Sequence, residues 1–323
     1  MFQDPGIVSG SGYYSERMRR VIGWIGFGAA SIWTAAAGLA QRAPEALPAA
    51  VREQSNDAVS PIYIVAHQDD WQLFMGDEIA RTLGAGGRAT FIYLTAGDDG
   101  RDSTYWLTRE QAALESTRIA SGAYARRSQT MCDTTRITAH VIRRCTLGRT
   151  TSYFLRLPDG KRNGAGFARY GYQSLRKLRR KTITSLNAVD RSAVYRSWND
   201  VFATLDALAT TASLASKPVL YGTDPSIAIN PHDHFDHRIA GLLVEEVRKR
   251  HGWRARYYVG YALASRAANR SAEETQQKTA TFRAYDGVMI RANPSWSAYA
   301  EHPKFYADCM QRTYARAVPR APR

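Results

Sequence analysis

The sequence predicts an α/β fold: a Rossmann-like, mainly parallel sheet with helices on both faces and an active site at the carboxyl ends of the strands. Three apolar runs carry that prediction, "IYIVA" at residues 62–66, "ATFIYLT" at 89–95 and "KPVLYGT" at 217–223. Each is bounded by polar or glycine residues, the pattern of a strand buried on both faces, and stretches of helical period lie between them. Strand, helix, strand is how a parallel sheet opens. In such sheets ligands bind just beyond the carboxyl ends of the strands, and "HQDD", His67 to Asp70, follows the first run directly.

The domain is expected to run over 61–323. Residues 41–60, with two prolines and several alanines, read as a linker. Phe74 to Arg88, closed by glycines, is expected to be the first helix, and Thr108 to Tyr124 the next, with Thr108 as its cap. Residues 130–175 alternate short strand-like pieces, "ITAHVIRRC" and "SYFLRLP", with glycine-rich turns. A helix over Trp198 to Ala212 leads to the third apolar run. Beyond it Ile239, Leu242, Leu243 and Val247 recur at helical spacing, so a helix begins close to Asp236 and His237. A strand in "ARYYVGYAL", a helix through "SAEETQQKTATFRAY" and a helical tail over 293–317 complete the chain.

Before the linker, "RMRR" at Arg17 to Arg20 precedes twenty uncharged, mostly apolar residues, Val21 to Ala40. A basic flank, an apolar middle and small residues before Gln41 match a secretory signal, and the same length would also span a bilayer. Residues 1–40 are therefore expected to be a signal peptide or an N-terminal anchor, possible through residues 21–40. Glycine and alanine dominate the run, which favours the cleaved signal. Met18 is an alternative start, since "MRR" followed by an apolar run is an ordinary signal peptide. Either arrangement places the working domain outside the cytoplasm: periplasmic, secreted or membrane-anchored.

A net charge of +15 would suit an anionic partner, but the basic residues are widely scattered. The densest cluster, "RKLRRK" at Arg176 to Lys181, has no interleaved aromatics of the kind that stack on single strands, so nucleic acid is not an expected partner. The cluster reads as a solvated face, with anion contact as the alternative. Of the three cysteines, none belongs to a closely spaced metal-binding pair. In an oxidising compartment Cys132 and Cys145 could close a short loop, leaving Cys309 odd. No feature of the sequence specifies an oligomeric state.

The chemistry is concentrated in two clusters. Of seven histidines, His232, His234 and His237 fall within six residues beside Asp233 and Asp236, and His67 ends the first acidic strand. His67 and Asp70 are three apart, as are His234 and His237, so each pair can converge on one point. Two imidazoles and one carboxylate with an open position suit a hydrolytic zinc ion.

"AHQDD", Ala66 to Asp70, resembles the A-H-P-D-D motif of the PIG-L/LmbE-type deacetylases, and "HFDHRIAG", His234 to Gly241, resembles their H-P-D-H-x-x-x-G motif. "LTAGDDG", Leu94 to Gly100, is similar to their L-T-x-G-E-x-G turn, and "RLPDG", Arg156 to Gly160, echoes another common element. The resemblance spans roughly residues 61–285. It implies a Rossmann-like, zinc-dependent hydrolase that removes N-acyl groups, usually acetyl, from amino sugars and their conjugates. It further implies His67, Asp70 and His237 as Zn2+ ligands, Asp69 as general base and His234 as the group that stabilises the oxyanion, cationic or as a donor. Asp98 and Arg109 resemble positions that the family uses to hold sugar hydroxyls, and stabilisation of a helix and a turn explains them nearly as well.

Three residues depart from the motifs. Gln68 and Phe235 stand in place of prolines, and Trp71 in place of a common glutamate; none of these is a ligand or base. Trp71 could stack on a sugar ring or pack against the following helix. Asp233 and Asp236 are read as orienting histidines or capping the helix, and His232 and His140 carry no assigned role. Two further functions fit less well. A catalytically idle carbohydrate-binding protein would not need Asp69, and a metal-dependent phosphoesterase would usually carry ligands for two metals.

Overall fold

The computed structural model describes residues 60–320 apart from 77, 86, 123–127 and 214–217. The expected signal or anchor segment and the linker up to residue 59 lie outside the described residues. Among the described residues, no helix is long and apolar enough to cross a membrane.

Strands β1 (Ser60–Val65), β2 (Ala89–Thr95), β3 (Met131–Ile137), β4 (His140–Leu147), β5 (Thr150–Leu157), β8 (Pro218–Thr223), β9 (Arg254–Tyr258) and β10 (Ala315–Val318) form one sheet in the order β10-β9-β8-β1-β2-β5-β4-β3. A separate two-stranded ribbon pairs β6 (Leu186–Asn187) with β7 (Val194–Tyr195). The five strands β9, β8, β1, β2 and β5 run parallel, and antiparallel strands finish both edges. From β1 the chain moves outward to β2 and β5 on one side and later to β8 and β9 on the other. That reversal of direction opens a crevice at the carboxyl end of β1.

The helices are α1 (Glu78–Gly84), α2 (Ser103–Ser121), α3 (Leu175–Arg179), α4 (Trp198–Ser213), α5 (Phe235–His251), α6 (Ala272–Ala292), α7 (Ala298–Glu301) and α8 (Pro303–Met310). Alternate strand residues feed two cores. Ile62, Ile64, Ile92, Leu94 and Leu220 pack with Leu205 and Leu208 of α4 and Leu243 and Val247 of α5. On the opposite face Tyr63, Phe91, Tyr93 and Tyr221 pack with Ala112 and Ala113 of α2 and Phe282 and Tyr285 of α6. Every residue of β1 and β2 is buried, which is why both read as unbroken apolar runs rather than alternating ones.

Several boundaries differ from expectation. The first expected helix is divided: residues Trp71–Met75 form a π-helical turn, Gly76 breaks it at φ 79°, and α1 follows. Helix α2 starts at Ser103 because the Asp102 carboxylate accepts the Thr104 amide (3.0 Å); Thr108 lies inside the helix and bonds back to the Thr104 carbonyl. "ITAHVIRRC" is a hairpin turn with the second arm of the β3–β4 pair. The tail is not one helix. Pro303 opens α8 as a separate helix, and the chain then returns as β10, antiparallel to β9. Cys132 and Cys145 lie opposite each other on β3 and β4 and form a disulfide, and Cys309 is a buried free thiol.

Candidate active site

The crevice at the end of β1 gathers residues from both clusters. His67 leaves β1 in a turn closed by its own amide, which donates to Asp70 Oδ2 (2.8 Å). His237 lies in the first turn of α5 and points back at that turn. Its Nδ1 lies 2.9 Å from Asp233 Oδ1, and with the proton on Nδ1 the carboxylate fixes the tautomer whose Nε2 lone pair faces inward. His237 Nε2 is then 3.0 Å from Asp70 Oδ1 and 3.1 Å from His67 Nδ1, while His67 Nδ1 is 3.5 Å from Asp70 Oδ1. Three donors of metal-binding type therefore converge on one buried point, with two imidazole nitrogens face to face. Those residues fit a divalent metal.

The electrostatics agree. Burial opposes charge on His237, but Asp70 and Asp233 outweigh it and push its pKa up to about 10. His67 behaves alike: burial works against its charge, and Asp70 beside it holds the pKa well above the ordinary histidine value. Burial opposes ionisation of Asp70, and the two histidines hold its pKa well below the ordinary range. Metal binding needs the coordinating nitrogens of His67 and His237 free of protons, so metal affinity is expected to rise with pH up to the raised histidine pKa values, about 10 for His237, by about tenfold per unit for each proton released. Chelator competition at several pH values measures this; an affinity flat with pH would exclude these histidines as ligands.

Asp69 sits outside that donor set. Its Oδ1 accepts from Arg109 Nη2 (2.5 Å), and the same guanidinium donates to the Gly97 carbonyl (2.8 Å) and the Tyr285 hydroxyl (2.6 Å). Arg109 is thus committed to placing Asp69 and is 8% exposed.

His234 caps α5. Its Nδ1 accepts the Asp236 amide (3.2 Å), so in the neutral ring the proton is on Nε2, which points towards Asp159 Oδ1 (3.6 Å). Burial, and then the charge of His67, push its pKa down to about 4. His234 is accordingly a neutral donor rather than a cation.

Two residues weighed as substrate contacts take the structural roles that were their alternatives. Trp71 is fully buried, with Nε1 donating to the Tyr93 hydroxyl (3.1 Å) and its ring against Phe91, so it has no free face for a sugar. Trp71→Ala is expected to cost about 3–5 kcal/mol of stability, read as a lowered thermal midpoint. An unchanged midpoint would contradict its place in the core. Asp98 is also fully buried: its carboxylate accepts the Gly100 amide (2.9 Å) and the Asp159 amide (2.7 Å). Burial, and then Asp159, push its pKa up to about 7.

Asp159 had no role assigned from sequence, and Asp236 only that of orienting a histidine or capping the helix. Asp159 Oδ2 is 3.5 Å and Asp236 Oδ2 3.8 Å from His67 Nε2, and Asp236 Oδ2 also accepts the Gly160 amide (2.7 Å). A Cβ at Gly160 would lie 2.5 Å from Asp236 Oδ1, so only glycine lets that backbone approach. These residues with His67 and His234 form a second polar group. One oxygen of Asp236 and Nδ1 of His234 are already engaged, which leaves this group as a wall of the crevice. The sequence signal was "RLPDG", which places Asp159 just past β5. His140 lies elsewhere, bonded to Asp200 (2.7 Å) and stacked on Tyr195.

Residues 62–248 match the sequence family described as GlcNAc-PI de-N-acetylase, PIG-L. The chain belongs to this family. Among solved structures, N,N'-diacetylchitobiose deacetylase from Pyrococcus horikoshii is 15% identical, with a TM-score of 0.40 over 81% of this chain and 83% of that one. The A40926 pseudoaglycone deacetylase Dbv21 is 13% identical, with a TM-score of 0.41 over 83% and 100%. The 4-carboxy-2-hydroxymuconate hydratase GalB from Pseudomonas putida KT2440 is 13% identical, with a TM-score of 0.39 over 82% and 98%. No curated protein matches the sequence. The likeness to these structures is coarse, and the PIG-L assignment rests on the matched sequence.

The PIG-L match ends at residue 248, yet residues beyond it brace the site. Tyr285 of α6 holds Arg109, and the ring of Tyr261 lies edge-on to His237 at 5.0 Å between centroids.

Proposed function

We propose that this protein is an exported, zinc-dependent N-deacetylase that hydrolyses the N-acyl amide, chiefly N-acetyl, of an amino sugar or its glycoconjugate. The observation that carries the reading is Asp69. It lies next to a complete donor set without belonging to it, and Arg109 holds it there. A protein that only binds sugars has no use for a positioned carboxylate at that point.

His67, Asp70 and His237 would hold the zinc; donors about 2.0–2.1 Å from a tetrahedral ion lie roughly 3.3 Å apart, close to the separations found between them. Zinc there would supply Lewis-acid activation of water and of the amide carbonyl. Asp69 accepts the proton that water loses as its oxygen adds to the carbonyl carbon. His234, neutral and with its tautomer fixed by the helix it caps, donates Nε2–H to the oxyanion. Asp69 returns the proton to the leaving nitrogen, and the C–N bond breaks to give acetate and the free amine. Arg109 keeps the Asp69 carboxylate at one angle throughout.

The reading is tested by measuring metal content and acetate release on a panel of N-acylated amino sugars, including N,N'-diacetylchitobiose, with zinc and after chelation. About one zinc per chain and chelator-sensitive acetate release are expected. Two tightly held metals with phosphate ester cleavage and no acetate would replace it with the phosphoesterase reading.

Export is supported by the uncharged run after a basic flank and by the Cys132–Cys145 disulfide. The mature chain is expected to begin near Gln41, as N-terminal sequencing of protein from the native cell would show. An intact N-terminus on soluble cytoplasmic protein would refute export, and the uncleaved chain in membranes would identify an anchor.

A further inference from the structure

Between Asp159 and Asp190 the chain carries eight lysines and arginines, all within residues 161–181, and no aspartate or glutamate. This segment of charge +8 accounts for more than half of the net +15. Lys161, Arg162, Arg169, Arg179, Arg180 and Lys181 are exposed. We infer that this strip is a docking track for an anionic glycan, so that the amino sugar processed at the site belongs to a polymer bearing carboxylates or phosphates. The substrate part of this inference rests on the deacetylase reading; the docking part does not.

The strip is continuous with the crevice. It begins one residue after Gly160, whose amide bonds Asp236, and the carbonyl of Arg162 accepts the Phe235 amide (3.1 Å). Arg162 Nη2 donates to the His232 carbonyl (2.6 Å), and Arg169 Nε to the Gly100 carbonyl (3.1 Å) beyond β2. The guanidiniums of Arg176 and Arg238 lie 4.7 and 5.9 Å from the ring of Phe235. Phe235 in turn lines a cleft with Asn230, His232, Asp233 and His234. From that cleft the cations lead outward along α3.

The acids of the site do not cancel this charge for an approaching ligand. Asp70, Asp159 and Asp236 are buried and turned towards the imidazoles, and Asp99, exposed after β2, pairs with Arg101 (3.5 Å). A glycan fits better than a lipid surface. Membrane-bound basic segments pair their charge with several inserting apolar side chains, whereas Tyr172 is the large hydrophobic residue exposed within the strip. A tyrosine ring beside cations suits a sugar face.

The test uses the full chain and a fluorescent hyaluronan oligosaccharide, which alternates uronate with N-acetylglucosamine, against a neutral chito-oligosaccharide of equal length. At low salt the charged oligomer is expected to bind at least about tenfold more tightly, with the advantage falling by about tenfold between roughly 50 and 200 mM salt. The triple variant Arg179→Glu, Arg180→Glu, Lys181→Glu, which takes the strip from +8 to +2, is expected to lose that advantage. The corresponding glutamine triple, at +5, should fall between and guards against misfolding. Equal reversal elsewhere, Lys249→Glu, Arg291→Glu, Lys304→Glu, is expected to leave binding within about twofold. The inference is overturned if charged and neutral oligomers bind alike, if the strip triple binds as the parent does, or if strip-dependent binding is confined to phosphatidylglycerol vesicles. Strip-dependent hyaluronan binding without acetate release from any compound would sink the deacetylase reading while upholding the docking track.

Discussion

His237→Ala protein is expected to hold roughly a few per cent of the parent's metal and to release no measurable acetate. The residue is buried, and its Nε2 stands 3.0 and 3.1 Å from the other two donors, so its removal takes one of the three converging donor atoms away. The loss of affinity should exceed about 100-fold, because even the carboxylates that only orient metal-binding histidines are worth 10–100-fold. Asp233 is such a carboxylate, and Asp233→Asn is expected to fall within that smaller range while keeping the fold. The pair of variants separates ligand from orienting group by competition against a chelator of known affinity. Undiminished metal in His237→Ala would move the metal out of this crevice altogether.

The central sheet was readable because β1 and β2 are buried on both faces, so their residues are predominantly apolar with no polar alternation. The histidine and acid pairs at the strand ends were readable for the same topological reason. The role of Arg109 was not: its partner Asp69 is 40 residues away in the chain and meets it only because α2 packs across the end of β2. Asp159 was visible within "RLPDG", but its place against His67 depends on β5 lying beside β2, which no local pattern states. Trp71 followed the ligand directly and so suggested a rim, whereas the π-helical turn carries it inward onto Tyr93. The tail misled because its residues favour a helix locally. Pro303 ends that run, and the four residues of β10 are a strand only through their pairing with β9.

Asp69→Asn tests the mechanism more narrowly than any ligand variant. Asparagine keeps the size of the side chain and an oxygen to accept from Arg109, so the crevice should keep its shape and the metal content should stay near the parent's. What disappears is the only group beside the donor set assigned to take a proton. Loss of a general base typically costs on the order of 10²- to 10⁴-fold in rate, and the loss is expected in kcat rather than in substrate binding. Asp70→Asn, one residue along, should instead empty the metal site, since Asp70 faces both imidazoles. His234→Ala should retain metal and slow turnover, because its Nε2–H serves the oxyanion and not the resting site. Arg109→Lys should fall between parent and Asp69→Asn, as an ammonium cannot reach Asp69, Gly97 and Tyr285 together. Full activity in Asp69→Asn with metal intact would transfer the proton role to Asp159, a carboxylate that faces both His67 and His234.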